Sequence, residues 1–265
     1  MPKVSGGVRL ERRGNHVAML QFHRPEKLNA LSDRTVAETG RLLRTVASDP
    51  LLRVLIMTGA GSGFCSGFDL SLADKAPGDS KQGETIAWTE RQEAFASLVT
   101  QLRALRQPVI AAINGAASGA GLALALASDI RIAAKSARFN AAFVKVGLSG
   151  CDMGVSWLLP RCVGTSRAFE MMLTGRTVGG AEAGRIGLVS ETVDDSRLIP
   201  RAMELARLIA AHSAFGVWMT KRGAWANLEA ASLQAAIELE NRTQMLARTT
   251  GELSRAAKAM LARRG

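Results

Sequence analysis

A mixed α/β fold is predicted from three observations. Short β-branched apolar runs alternate with amphipathic stretches, glycines gather where those runs end, and from Arg197 onward the pattern changes to long helices. Val17–Phe22 and Val54–Thr58 have strand character. Between them, Ser32 offers an N-cap oxygen to a helix carrying Val36, Leu43 and Val46 on one face, and Asp49-Pro50 ends it. Pro108 opens the strand Val109–Ile113, which stops at Asn114-Gly115; after Gly119 and Gly121 a small-residue run reads as a buried helix. Asp129–Ala133 and Leu188–Val193 are further strands. Leu198, Ala202, Leu205 and Ile209 form one helical stripe, and residues 228–248 and 252–263 continue as helix, broken near Thr249-Thr250-Gly251. The expected division is therefore a core over 1–196 and a helical region over 197–265. Residues 71–87, polar and carrying Pro77, Gly78 and Gly83, read as a surface loop, either a lid or a plain exposed connection.

Composition narrows the function classes. At 47% hydrophobic residues, a chain of 265 has ample material for a core. Its net charge of +11 comes mostly from 26 arginines against 8 lysines, which points to an anionic partner. Those arginines are dispersed and tyrosine is absent, which argues against nucleic acid. Three cysteines (Cys65, Cys151, Cys162) show no metal spacing and fit reduced thiols in a cytoplasmic protein. Met1 to Asn15 is polar and basic, so no signal peptide is expected. Residues 109–127 are apolar enough to suggest a membrane span, and Gly115-x-x-x-Gly119 a membrane dimer motif. Asn114, Gly115, Ser118 and the many alanines favour a strand, turn and buried helix, and a soluble chain.

Two glycine-rich junctions carry the chemistry. Phe64–Leu70 and Gly115–Gly121 each bring bare backbone N–H groups toward a ligand, the second at a helix N-terminus. Together they suggest a paired-donor cradle for an oxyanion. Gly59-Ala60-Gly61-Ser62-Gly63 imitates a dinucleotide fingerprint, but it lacks the spacing, the following helix and the acidic residue that motif requires. A serine-hydrolase elbow is missing, and His16, His23 and His212 are scattered, so Cys65 reads as packing rather than a nucleophile.

These two segments, with Arg24-Pro25-Glu26-Lys27-Leu28-Asn29-Ala30-Leu31, closely resemble the crotonase, or enoyl-CoA hydratase/isomerase, superfamily from about residue 8 to about residue 250. The resemblance implies a spiral of ββα units with a C-terminal helical trimerisation region, assembled as a homotrimer or hexamer. It implies an acyl- or enoyl-CoA ligand in fatty-acid or related metabolism, with coenzyme A arriving as part of the substrate and no separate cofactor. The thioester oxygen would be held by the N–H groups of Phe68 and Ala120. Arg24, Lys27, Leu28, Ala30, Ser66, Asp69 and Leu70 fall where the family meets the CoA moiety. For Arg24 and Lys27 the alternative is a polar turn before Ser32; for Asp69 it is a cap on the next turn.

One departure matters for the reaction. The family's hydratases use two glutamates, and here those positions are Ala123 and Phe143. What remains is Asp152, in Gly147-Leu148-Ser149-Gly150-Cys151-Asp152-Met153-Gly154, where some relatives keep an aspartate facing the acyl chain. Desolvated by Phe68, Phe143 and Met153, it would be a general base with a raised pKa; the alternative is an N-cap for the next helix. Lys145 and Ser149 are lesser candidates. Phe143 is expected around the acyl group; Trp157, the other aromatic placed there, reads first as core packing, with the acyl pocket as its alternative. Two functions follow: an enolate-stabilising isomerase or hydratase-like enzyme, or a non-catalytic acyl-CoA-binding protein on the same scaffold. An RNA-associated relative of this fold would rest on net charge alone.

Overall fold

The computed structural model describes residues 5–75 and 83–262. Strand β1 (Val8–Arg13) pairs antiparallel with β2 (Val17–Phe22). Helix α1 (Asp33–Ser48) follows, its start capped by Ser32, whose side chain accepts from the Thr35 N–H. Its inner face buries Val36, Leu42, Leu43 and Val46, each contributing about 1.5–3 kcal/mol of apolar transfer free energy. Then come β3 (Val54–Gly59), β4 (Gly63–Cys65) and α2 (Glu84–Ala104). The same order repeats as β5 (Val109–Ile113), β6 (Ala116–Ser118) and α3 (Ala120–Ala127). It repeats again as β7 (Ile130–Ala134), β8 (Arg138–Asn140) and α4 (Val155–Val163).

From β3 onward, each ββα turn gives one strand to each of two sheets. One sheet runs β1-β2-β3-β5-β7 and is closed by β10 (Glu191–Val193); the other runs β4-β6-β8 and is closed by β9 (Val178–Gly179). Pairing is parallel throughout the spiral, with antiparallel partners only at β1 and β9. A central parallel strand is covered on both faces, which is why Val109–Ile113 is apolar at every position and fully buried. Helix α3 lies in the same interior, with all eight residues buried. Helices α5 (Thr165–Thr174), α6 (Gly180–Arg185) and α7 (Leu198–Ala210) complete the core.

The chain divides into compact units at residues 1–207 and 208–265. In the second, α8 (Ala214–Asn227) packs against α9 (Leu233–Thr249), and α10 (Glu252–Ala262) follows the break at Gly251, whose φ is +71°. No helix among the described residues is long and apolar enough to cross a membrane.

Several elements differ from expectation. The loop expected over 71–87 includes residues 76–82, which lie outside the described residues, and it ends early because α2 begins at Glu84. That helix buries Ala87, Arg91, Phe95, Leu98 and Leu102 at three- and four-residue spacing, a stripe masked in sequence by the arginine within it. The strand expected over Leu188–Val193 is confined to Glu191–Val193. Leu188 and Val189 instead donate to the Ala183 carbonyl and close the end of α6. In α7 the buried seam is Leu198, Ala202 and Ala206, with Leu205 and Ile209 only partly covered. The helix expected from 228 starts at Leu233, capped by Ser232.

Close backbone approach in the core sets a first test. A Cβ placed on Gly121 would lie 1.9 Å from the Cys65 carbonyl oxygen, a backbone atom that cannot swing aside. Gly121→Ala is expected to lower unfolding free energy by about 3 kcal/mol, read from chemical denaturation. Gly223→Ala, where a Cβ meets nothing within 4 Å, serves as the neutral control.

Candidate active site

Two asparagine networks, one on buried Asn29 and one on half-buried Asn114, bring the glycine-rich segments together. Asn29 donates through Nδ2 to the carbonyls of Ala60 (2.9 Å) and Gly63 (2.7 Å), while its Oδ1 accepts the Arg24 N–H at 2.8 Å. Asn114 accepts the Gly59 N–H at 3.0 Å and donates to the Gly61 (2.9 Å) and Gly63 (3.1 Å) carbonyls. A buried amide can satisfy loop backbone that a strand ladder does not reach, and it fixes the loop as it does so. Downstream, Ser66 N–H donates to Leu28 C=O (3.0 Å), Leu31 N–H to Gly67 C=O (2.7 Å) and Asp69 N–H to Leu31 C=O (2.9 Å). This short ladder holds Phe68 against residues 28–31.

The second segment is seated directly on the first. Gly67, at φ +98°, lies so close to it that a Cβ there would be 2.8 Å from Ser118 O and 3.5 Å from Ala120 N. Ala120 is the first residue of α3, behind Gly119, which offers no capping side chain. Neither the Phe68 nor the Ala120 N–H has a backbone acceptor among the described residues, and both residues line one cavity of about 520 Å³. Two free donors on neighbouring segments, one at a helix N-terminus, suit an oxygen that gains negative charge.

Most of the residues singled out from sequence meet at this cavity. Lys27, Ala30, Ser66, Asp69 and Leu70 line one side, and Phe143, Asp152 and Met153 another. Arg24 and Leu28 are not part of the lining. The Arg24 guanidinium is turned inward, donating to Ala30 C=O (2.7 Å) and Asp69 (2.8 Å). Trp157 corrects an expectation on both counts. It sits on α4 outside the cavity lining and is 42% exposed, its ring covered by Arg161 from one turn later. Lys145 and Ser149 are exposed and lie outside the lining, and Ser149 Oγ accepts the Cys151 N–H. Ala123 is wholly buried within α3, and the Phe143 ring lies against Gly119.

One wall was not legible beforehand. Helix α2 contributes Trp88, Arg91, Gln92 and Phe95. Arg91 is buried and donates to Asp33 (2.7 Å) and the Lys75 carbonyl (2.9 Å). Its guanidinium stands 4.8 Å from the Trp88 ring and 5.8 Å from that of Phe68. Phe68 in turn meets Phe95 edge-on at 5.6 Å. The i, i+4 spacing of Ala87, Arg91 and Phe95 was the signal available in the sequence.

Among the described residues, the lining holds two carboxylates with opposite surroundings. Burial pushes the Asp69 carboxyl up, but hydrogen bonds from Ser71, Arg24 and Lys27 outweigh it and hold the group well below the usual carboxylate range. Its oxygens accept from Ser71 N–H (3.2 Å), Ser71 Oγ (2.7 Å), Arg24 (2.8 Å) and Lys27 (3.0 Å), so it acts as a strut and a turn cap. Asp152 is half-buried and accepts one side-chain bond, from Gln92 to Oδ1; Oδ2 has no partner among the described residues. No cap is made by its side chain: the residue preceding α4 is Gly154. Cys65 is inert, since burial drives its thiol up to about 12.

Asp69 also sets the acid sensitivity of the site. A carboxyl depressed in the folded state contributes stability above its unfolded pKa and loses it as pH falls through the folded value. Asp69→Asn is expected to lose about 2–3 kcal/mol at pH 7 by leaving Arg24 and Lys27 unpaired. In denaturation series the deficit should shrink as pH drops below about 4, where an unfolded aspartate begins to protonate.

Comparisons with known proteins agree with this architecture. The family model for enoyl-CoA hydratase/isomerase matches residues 12–263. A probable enoyl-CoA hydratase of Mycobacterium leprae is 42% identical over 229 residues, 86% of this chain and 78% of its own. A 1,2-epoxyphenylacetyl-CoA isomerase of Escherichia coli is 39% identical over 249 residues, 94% of this chain and 93% of that one. The crystal structure of a probable enoyl-CoA hydratase/isomerase from Mycobacterium abscessus matches with a TM-score of 0.89 at 38% identity, covering 96% of each chain. With two sheets fed by successive ββα turns and a family match across nearly its whole length, this chain belongs to the enoyl-CoA hydratase/isomerase, or crotonase, family.

Proposed function

We propose that this chain is an enoyl-CoA isomerase that works with one carboxylate, Asp152. The observation that carries this reading is the contrast between the two acids of the cavity: Asp69 is spent on internal partners, while Asp152 keeps one oxygen free. The thioester oxygen of a 3-enoyl-CoA would accept from the Phe68 and Ala120 N–H groups. Asp152 then takes the proton from the carbon next to the thioester, and the C–H electron pair moves into a dienolate whose oxygen the two donors stabilise by about 3 kcal/mol each. The same carboxyl returns its proton to the γ carbon, giving the 2-enoyl thioester. A single group can serve both steps because it leaves the first in the protonation state that the second needs. Hydration asks for more: one group must activate water while another manages the α proton, and Ala123 and Phe143 leave those family positions without acids.

The cavity wall favours an apolar, ring-bearing acyl group. Phe68, Trp88, Phe95 and Phe143, four of the chain's twelve aromatic residues, line it. The E. coli relative carries a phenylacetyl thioester in its name. Lys27, Ser66 and Leu70 at the same cavity fit the CoA side of the ligand, and fatty-acid or related acyl-CoA metabolism is the corresponding setting. Assembly as a trimer or hexamer through the helices beyond residue 208 belongs to the same proposal. It is supported by α9, which has no buried residue, and by Leu233, Leu246 and Leu253, each more than half exposed. Sedimentation should give three or six chain masses; a monomer at micromolar concentration would reject it.

The activity is tested with a panel of 2-enoyl-, 3-enoyl- and dienoyl-CoA thioesters, phenyl-bearing and straight-chain. Asp152→Asn should cut 3-enoyl turnover by about a thousandfold while acyl-CoA binding persists. Tight binding with no turnover of any member would instead support a non-catalytic acyl-CoA-binding protein.

A further inference from the structure

We propose that Gln92 is the positioning residue of this site, fixing the Asp152 carboxylate so that Oδ2 alone meets the substrate. The inference rests on the reading of Asp152 as the base, and its own observation is the hydrogen bond from Gln92 Nε2 to Asp152 Oδ1. The two residues come from elements sixty positions apart in sequence, and both line the cavity.

The geometry on each side explains why an external support is needed. Asp152 stands in a tight, left-handed turn before α4. Met153 holds φ +44°, rare for a long side chain, Gly154 follows at +77°, and the Asp152 carbonyl accepts the Val155 N–H at 2.8 Å. That bond fixes the backbone and leaves the carboxylate rotor unrestrained. A carboxylate attached to its chain by two rotatable bonds samples orientations that waste its free lone pair.

Helix α2 supplies what the turn lacks. Phe95, Leu98 and Leu102 bury its far end, and Arg91 ties the neighbouring turn to Asp33 and to the Lys75 carbonyl. Gln92 therefore projects from an anchored helix. An amide N–H is suited to the role: it donates to an ionised carboxylate, carries no charge to compete with the substrate, and does not take up the proton being moved. A lysine there would neutralise the base, and a glutamate would share its proton.

Steady-state kinetics on Gln92→Leu and Gln92→His, with Asp152→Asn alongside, test this. Gln92→Leu should lower kcat by at least about tenfold with KM within twofold, the signature of a poorly aimed base rather than lost binding. Gln92→His, whose Nε2 reaches a similar position, should recover most of that loss. Thermal melting identifies any variant that fails to fold, and Gln92→Met, of similar length but without the donor, then replaces Gln92→Leu. An inactive Asp152→Asn together with wild-type kcat in Gln92→Leu, or with a change in KM alone, overturns the inference. If Asp152→Asn keeps turning over, the underlying reading of the base fails, whatever Gln92 does.

Discussion

Near contact between two stretches of bare backbone organises this molecule. Residues 62–67 and 115–121 approach so closely that a single Cβ at Gly115 or Gly121 would overlap a carbonyl oxygen. Hydrogen bonds from Asn29 and Asn114 hold the flanking loops in register, and the pairing of β4 with β6 sits inside that frame. The buried α3 begins within this seam, and its first residue, Ala120, lines the cavity. Everything proposed for the thioester oxygen depends on this seam. Conformational freedom at Gly67 and lack of volume at Gly121 are thus parts of one requirement.

Polar groups around the cavity divide into those already satisfied and those with capacity left. Asp69 draws in Arg24, Lys27 and Ser71, which welds the 24–31 segment to the end of β4. Arg91 does comparable work at the other wall, joining α1, α2 and residues 72–75 around its planar group. Both ionic centres hold the frame. Against them Asp152 is exceptional, because it meets one amide and otherwise opens to the cavity. Among the charged groups that line this cavity, a lightly partnered carboxylate has the strongest drive to interact with a ligand.

The spiral core was largely legible in the sequence because its strands are short, apolar and punctuated by glycine. Ser32, Asp49 and Pro50 marked α1 at both ends, and Val109–Ile113 showed the unbroken run of a central parallel strand. The glycine junctions were legible for a different reason: only close backbone approach explains so many of them together. Helix α2 was hidden. Its buried stripe includes an arginine, and a polar stretch precedes it, so periodicity was masked by charge and the wall built from Trp88 to Phe95 went unread. Trp157 failed in the opposite sense. A large apolar ring in a helix suggested core packing first and a pocket second, whereas Arg161 one turn later gives it a partner at the surface.

A cradle made of main-chain groups separates the durable from the adjustable. Phe68 and Ala120 would offer the same N–H whichever side chains they bear, so substitution there reshapes the wall and spares the donors. The acid–base inventory is instead spread over unrelated positions: α3 at Ala123, the turn after β8 at Phe143, and the bend before α4 at Asp152. On such a scaffold, reaction type can be rewritten one residue at a time while the anion-holding power of the site is inherited intact.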